Sequence, residues 1–244
     1  MPRFFADEPP VNGEIIITGE DARHIGRSLR MAVGEEITVC RGGSDYICRL
    51  EKISDSAVIA KVITEEKSKE PSISLTLFQA MPKTDKLELI VQKAVELGAV
   101  RIVPVMTRRC ISRPEKSQFE KKRERLQKIA LEAAKQSGRG IIPEVSGIIS
   151  FEKCIEEMRA LDLGLMCYEK FSGSLNSMRL SELKYPVGGS VGLLVGSEGG
   201  FDAAEAEAAV TAGIKPIWLG DRILRCETAP LAAISVIMSL TGNI

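Results

Sequence analysis

The sequence predicts an α/β protein in two parts, a small β-rich domain over residues 1–70 and a larger domain over 71–244 with a mostly parallel sheet covered by helices. Three observations predict this. Up to residue 63 the apolar residues fall in short β-branched runs separated by turn residues. Beyond Pro71, strand-like runs alternate with segments of helical period, the pattern of a parallel sheet with crossover helices. Between them, residues 64–70 are polar and charged and end at Pro71, which marks a boundary.

In the first part, strands are expected at 14–18, 36–40, 46–50 and 57–63. Arg41-Gly42-Gly43-Ser44-Asp45 reads as a hairpin loop and Ser54-Asp55-Ser56 as a further turn. Asp21-Ala22-Arg23-His24 suggests a short helix that Gly34 ends. Together these indicate a compact β-barrel or sandwich. In the second part, strands are expected at 73–78, 100–105, 163–168, 191–195 and 217–219. Thr84 and Asp85 open a helix with Leu87, Ile90, Val91, Ala94 and Val95 on one face, and Gly98 ends it. Ser112 with Glu115, or Ser117 with Glu120, has the spacing of a capping box for a long helix that stops at Gly138. Asp202 with Glu205 opens an alanine-rich helix closed by Gly213. The last helix, with Pro230 in its first turn, is apolar all round, so burial on every side or a subunit interface is expected.

Composition excludes several classes. Lys+Arg and Asp+Glu both number 33, so a nucleic-acid site must be a local basic patch. The 6 cysteines form no C-x-x-C pair and His24 is the one histidine, so no metal site is expected. Scattered cysteines fit a reducing, cytoplasmic setting. The first residues lack the apolar core of a signal peptide, and the apolar run 230–240 is too short to span a bilayer, so no membrane role is expected.

Four segments can carry chemistry. Val195-Gly196-Ser197-Glu198-Gly199-Gly200-Phe201 leaves a strand and enters a capped helix, where open α/β sheets bind ligands. It is either a tight turn that needs glycine or a ligand loop, and its glycine content favours the second. It is neither a phosphate loop nor a dinucleotide fingerprint, and Ser197 does not sit in a hydrolase elbow. Residues 219–230, with Arg222, Arg225 and Glu227 between two apolar elements, set charge at the edge of the core. They make either a structural Arg–Glu pair capping the last helix or a functional site. Ala134-Lys135-Gln136-Ser137-Gly138-Arg139 reads on its own as a helix end with a solvated arginine. Arg108, Arg109 and Arg113 cluster in one loop and suit phosphate contact, whereas the lysines and arginines from 116 to 128 alternate with Glu120 and Glu124 as a solvated face. Phe4, Phe5 and Tyr46 are available for base stacking.

Taken together, Gly-Ser-Glu-Gly-Gly at 196–200 and Leu-Gly-x-Arg-Ile-Leu-Arg-x-Glu-Thr-Ala at 219–229 resemble the RsmE-type enzymes, ribosomal RNA small subunit methyltransferase E, of the SPOUT superfamily. Pro2-Arg3-Phe4-Phe5, His24, Leu29-Arg30, Lys93, Glu96-Leu97-Gly98, Pro104, Thr107, Arg109, Gln136, Ser137 and Arg139 extend the resemblance over nearly the whole chain. It implies a PUA-like RNA-binding β-barrel over 1–70 and a SPOUT methyltransferase domain over 71–244 with a C-terminal trefoil knot. It also implies a homodimer and methylation of N3 of one uridine of 16S ribosomal RNA, near the decoding site of the small subunit. S-adenosyl-L-methionine is the implied cofactor. Its implied contacts are Leu194, Val195, Gly196, Glu198 and Gly199, then Leu219, Gly220, Ile223, Leu224, Arg225, Thr228 and Ala229. Arg225, Arg139 and Glu198 are the catalytic candidates, the arginines to stabilise a deprotonated base and Glu198 to orient the cofactor or help remove the proton. Arg3, His24, Arg30, Arg108, Arg109 and Arg113 are the RNA candidates. The chain departs from the usual family pattern at Ser197 (proline), Gln92 (glutamate), Val95 (threonine), Lys135 (glutamate) and Cys110 (serine). Competing readings are a SPOUT ribose 2′-O-methyltransferase acting on rRNA or tRNA, a nucleotide-binding phosphotransferase, and a non-catalytic RNA-binding protein.

Overall fold

The computed structural model describes residues 1–83, 85–168 and 177–244, so Thr84, expected to open the second helix, lies outside the described residues. The chain divides into two compact units, Met1–Glu70 with Ala134–Ile142, and Pro71–Ala133 with Pro143–Ile244.

The first unit is built on β1 (Arg3–Phe5), β2 (Glu14–Thr18), β3 (Glu36–Arg41), β4 (Ser44–Ile53) and β5 (Ala57–Lys67). They form one sheet in the order β1-β3-β4-β5-β2, antiparallel except for β1 against β3. Alternate residues Ile15 and Ile17 of β2 point inward, where Phe4, Ile25, Ile37, Val39, Leu50 and Val58 complete an apolar core. Three expectations need correction. Among the described residues no ladder joins β1 to β2, so the sheet is open rather than a closed barrel. The polar run after residue 63 does not leave the sheet: Thr64 to Lys67 continue β5, paired with Ile47 to Ser44 of β4, because an available partner strand outweighs weak strand propensity. The short helix α1 (Gly19–Arg23) passes into a π turn, His24–Ser28, and the reversal that follows uses Arg30 at φ 52° well before Gly34.

Residues 134–142 belong to this unit through a polar network. Arg139 Nε and Nη2 meet Glu70 Oε2 at 2.8 and 2.6 Å, and the guanidinium is 5% exposed. Glu70 Oε1 accepts the backbone N–H of Gly140 at 2.7 Å, and Arg3 Nη1 donates to the Arg139 carbonyl at 3.2 Å. Gly140 lies so close to Ser68 that a Cβ there would overlap its side chain.

The second unit follows the expected alternation: β6 (Ser74–Ala80), α2 (Lys86–Glu96), β7 (Arg101–Met106), α3 (Lys116–Ser137, of which residues 134–137 belong to the first unit), β8 (Glu144–Val145), β9 (Ile149–Ser150), α4 (Phe151–Arg159), β10 (Leu163–Cys167), β11 (Met178–Arg179), β12 (Ser190–Val195), α5 (Ala203–Thr211), β13 (Lys215–Trp218) and α6 (Thr228–Leu240). The strands are parallel in the order β11-β13-β10-β12-β6-β7-β8, with β9 also on β7. From β6 the chain moves outward to β7 on one side, and β12 and β10 lie on the other. Such a change of direction leaves a crevice at the carboxyl ends of the strands. The capping box at α5 is made: Asp202 accepts from Ala204 N at 3.1 Å, and Glu205 accepts from Asp202 N at 3.0 Å. Buried Phe78, Val103, Met166, Leu194 and Phe201 form a core with Phe151 and Met158 of α4, a helix opened by the Ser150 cap. The last helix is not buried on every side. Ala233, Ile234, Ile237 and Met238 are inside, while Val236 and Leu240 are 42% and 45% exposed.

Candidate active site

At the end of β12 the chain turns sharply. Gly200 N donates to the Ser197 carbonyl at 2.9 Å, and Gly200 sits at φ 63°, a conformation glycine enters without strain. A Cβ on Gly196 would lie 3.1 Å from Gly200 Cα, and one on Gly199 would lie 3.1 Å from Arg109 Cβ. Each glycine of the loop therefore has a local reason, packing at Gly196 and Gly199 and backbone conformation at Gly200, and glycine content by itself does not point to a ligand. The surrounding space does. A cavity of about 390 Å³ lies in this unit, within the size range of small-molecule sites.

Val195, Gly196 and Glu198 line it from the first segment, and Leu219, Gly220, Ile223, Leu224, Arg225 and Ala229 line it from the second. The two segments, far apart in sequence, thus meet in one pocket at the carboxyl ends of β12 and β13. Leu194, Gly199 and Thr228 stand outside its lining. Gly220 has φ 113° with open space where a Cβ would be, so the wall keeps its backbone accessible. The Arg225 carbonyl accepts from Thr228 N and Ala229 N at 2.9 Å each, which seats its backbone on the first turn of α6. Its side chain is 82% exposed, and Nη1 is 4.0 Å from Glu227 Oε1. That separation is too long for a tight Arg–Glu cap.

Glu227 instead pairs with Lys86, the residue the sequence reading missed. Lys86 Nζ lies 3.0 Å from Glu227 Oε2 and 3.1 Å from Glu198 Oε1. Glu198 also accepts from Lys83 N at 3.2 Å. Burial alone would raise the Glu198 carboxyl, yet its own backbone N–H, Lys86 and Lys83 N hold it below the ordinary glutamate value. Glu227 behaves alike: burial opposes the anion, and Lys86 is the strongest group favouring it. Hydrogen bonds to Glu227 and Glu198 push the Lys86 ammonium up. Burial pushes the neighbouring Cys226 thiol up to about 12, which keeps it neutral. Glu198 is therefore an anchored anion, a weak proton acceptor and a good orienting group.

The pH consequence follows in sign. Lowered carboxyls contribute stability above the ordinary glutamate value of 4.5 and lose it as pH falls below; the raised Lys86 loses its contribution only above 10.5. Thermal unfolding from neutrality down past pH 4.5 is expected to destabilise the wild type more steeply than Lys86→Met. Equal slopes for the two proteins contradict this triad.

Further wall residues also escaped the sequence reading. Tyr168, just after β10, and Trp218, the last residue of β13, line the cavity, and the Arg179 guanidinium lies 5.4 Å from the Trp218 ring centre. The buried Gln79 at the end of β6 donates to the Gly196 carbonyl at 3.2 Å. A polar residue closing an apolar parallel strand is the signal that marks Gln79. Lys83 and Lys86, a basic pair just after that strand, carry a comparable signal.

The remaining candidates are not in this pocket's lining, except Arg109. Arg139 is held by Glu70 in the first unit. Arg3, half-buried, is paired with Asp45 at 2.8 Å and donates to Cys40 Sγ. Arg113 Nη2 donates to the carbonyls of Thr107 and Arg108 at 3.0 and 2.7 Å, and Arg109 Nη1 donates to the Gly199 carbonyl at 3.1 Å. Those two arginines hold their own chain. Arg108 is 69% exposed beside Asp202, and His24 and Arg30 are exposed on the first unit. Phe4 is buried, with His24 edge-on at 6.3 Å, so it is not a base-stacking surface. Lys135 pairs with Asp21 at 2.8 Å, and Cys110 Sγ meets Thr107 Oγ1 at 3.1 Å, so both departures have partners in place. Among the described residues no His, Cys, Asp or Glu group could hold a metal ion, and no helix is long and apolar enough to cross a membrane.

Comparison with known proteins bears on this pocket. A family model for an RNA methyltransferase domain matches residues 68–238, and one for an RNA methyltransferase PUA domain matches 17–63. Ribosomal RNA small subunit methyltransferase E of Bacillus subtilis is 37% identical over 225 residues, 91% of this chain and 88% of that protein. The crystal structure of ribosomal RNA small subunit methyltransferase E from Neisseria gonorrhoeae bound to S-adenosyl methionine is 32% identical, with a TM-score of 0.85 and 98% of each chain covered. A methyltransferase from Legionella pneumophila in complex with the cofactor SAM is 28% identical, with a TM-score of 0.84 and 97% of this chain and 96% of that one covered.

Proposed function

This chain belongs to the ribosomal RNA small subunit methyltransferase E family of RNA methyltransferases, and from that premise we propose that it methylates N3 of one uridine of 16S ribosomal RNA, near the decoding site, using S-adenosylmethionine. The observation that carries the proposal is the meeting of 196–200 and 219–229 in one cavity. The residues present fit the cofactor. The cavity is of small-molecule size, Gly220 leaves backbone open to it, and Lys86 and Glu198 present opposite charges to a zwitterionic amino-acid end. Trp218, Tyr168 and Ile217 offer apolar surface to a nucleoside.

S-adenosylmethionine, when bound, supplies an electrophilic methyl group on sulfur. The chain's residues must then hold the base in line with that methyl and make N3 nucleophilic. Uridine N3 carries a proton at neutral pH, and its loss leaves a negative charge on the base. Arg225, seated by its backbone and exposed in its side chain, stabilises that charge. With no histidine in the second unit, a carboxylate or water takes that proton. RNA contact falls to His24, Arg30 and Arg108; Arg109 and Arg113 are exposed as well, but their guanidinium groups donate to backbone carbonyls. The reading includes a homodimer, supported by the exposed Val236 and Leu240 of α6, and a trefoil knot in the second unit, supported by the family alone.

The test uses labelled cofactor and small ribosomal subunits that lack the mark, with the product mapped by mass spectrometry. Label on N3 of a single uridine is expected. Label on a ribose 2′-oxygen or another base, or none at all, contradicts the proposal.

A further inference from the structure

The loop from Thr107 to Arg113 carries three arginines, yet its geometry faces the glycine turn. Arg113 ties the carbonyls of Thr107 and Arg108, and the Arg108 N–H donates to buried Glu205 at 2.8 Å. This frame brings Arg109 against the turn at both ends of the residue. Its guanidinium Nη1 donates to the Gly199 carbonyl at 3.1 Å, and Nη2 is 4.0 Å from Asp202. Its own carbonyl accepts from Ser197 Oγ at 3.4 Å. The backbones are in contact, since a Cβ on Gly199 would meet the Arg109 carbonyl oxygen at 3.2 Å. Arg109 also lines the cavity.

We propose that Arg109 is a positioning residue for cofactor binding, a clamp that holds the 196–200 turn in its ligand-binding shape, and not a phosphate contact. The inference rests on the reading of the cavity as the S-adenosylmethionine site. The physical reason is preorganisation. A turn of three glycines in five residues has many conformations to lose, and binding weakens if the ligand must select one of them. Two hydrogen bonds between the turn and a framed neighbour, one donated by each side, restrict the turn in advance, and the Ser197 hydroxyl gives it a tether where proline would fix φ.

The test measures cofactor affinity by calorimetry, and affinity for 16S ribosomal RNA across a salt series, on the full chain. Arg109→Ala is expected to weaken S-adenosylmethionine binding about tenfold, the loss of one charge-assisted hydrogen bond, with RNA affinity and its salt slope unchanged. Arg109→Lys, which keeps one donor, recovers part of the loss. Ser197→Ala weakens the cofactor a few-fold. The double variant loses less than the product of the two single losses, because both act on one turn. If Arg109→Ala does not fold, Ser197→Ala and Arg109→Lys carry the same expectations. Weaker RNA binding with the salt slope reduced by about one and cofactor affinity intact overturns the clamp in favour of a phosphate contact. Cofactor affinity unchanged in every variant overturns it as well. A wild-type chain that binds no S-adenosylmethionine overturns the functional reading underneath, a result distinguishable from both.

Discussion

Arg225→Ala is expected to lower kcat for methyl transfer about 10²–10³-fold while leaving S-adenosylmethionine affinity within a few-fold of wild type. The size is that of removing one preorganised charge that acts on a developing anion. The division between kcat and binding follows from geometry. The backbone carbonyl holds Thr228 N and Ala229 N, and truncation at Cβ leaves those bonds in place. The guanidinium is 82% exposed and 4.0 Å from its nearest carboxylate, so its removal exposes no buried partner and leaves the fold intact. Arg225→Lys is expected to fall between the two, since a lysine keeps the charge without the planar fork. Single-turnover rates and cofactor calorimetry check both parts. A rate within a few-fold of wild type moves the catalytic charge elsewhere.

The second large effect is on stability. Arg139→Ala strands Glu70, which faces Arg139 at 2.6 Å, and removes a guanidinium that is 5% exposed. Breaking a buried pair from one side costs about 3–5 kcal/mol. Glu70 is 20% exposed and keeps the N–H groups of Gly140 and Ile141, so a loss of about 2–3 kcal/mol is expected. Denaturant unfolding measures it. Activity per folded molecule is expected to stay near wild type under conditions where the variant is folded. A variant as stable as wild type but inactive restores Arg139 to the chemistry and contradicts the structural role.

Much of this was legible in the sequence, and the failures have physical causes. The central parallel strands were visible because burial on both faces makes continuous apolar runs, as in β12 and β7. Strands β8, β9 and β11 have two residues each, too few for any periodicity to show. The Asp202–Glu205 box was readable because both partners lie within one turn. The Lys86–Glu198–Glu227 triad was not, because its members lie on three separate segments that only the sheet order brings together. Arg3, Arg109, Arg113 and Arg139 show the same limit from the other side. An arginine beside a glycine or in a basic loop reads as solvated or phosphate-binding, and nothing local reveals the carboxylate or carbonyl that claims it.

The most direct measurement is the crystal structure of this chain with S-adenosylmethionine. Density for the cofactor is expected within the cavity between 196–200 and 219–229, against Gly196, Gly220 and Leu224. Cofactor density at any other place on the chain, or saturating cofactor with that cavity empty, contradicts the claim that these two turns form its site.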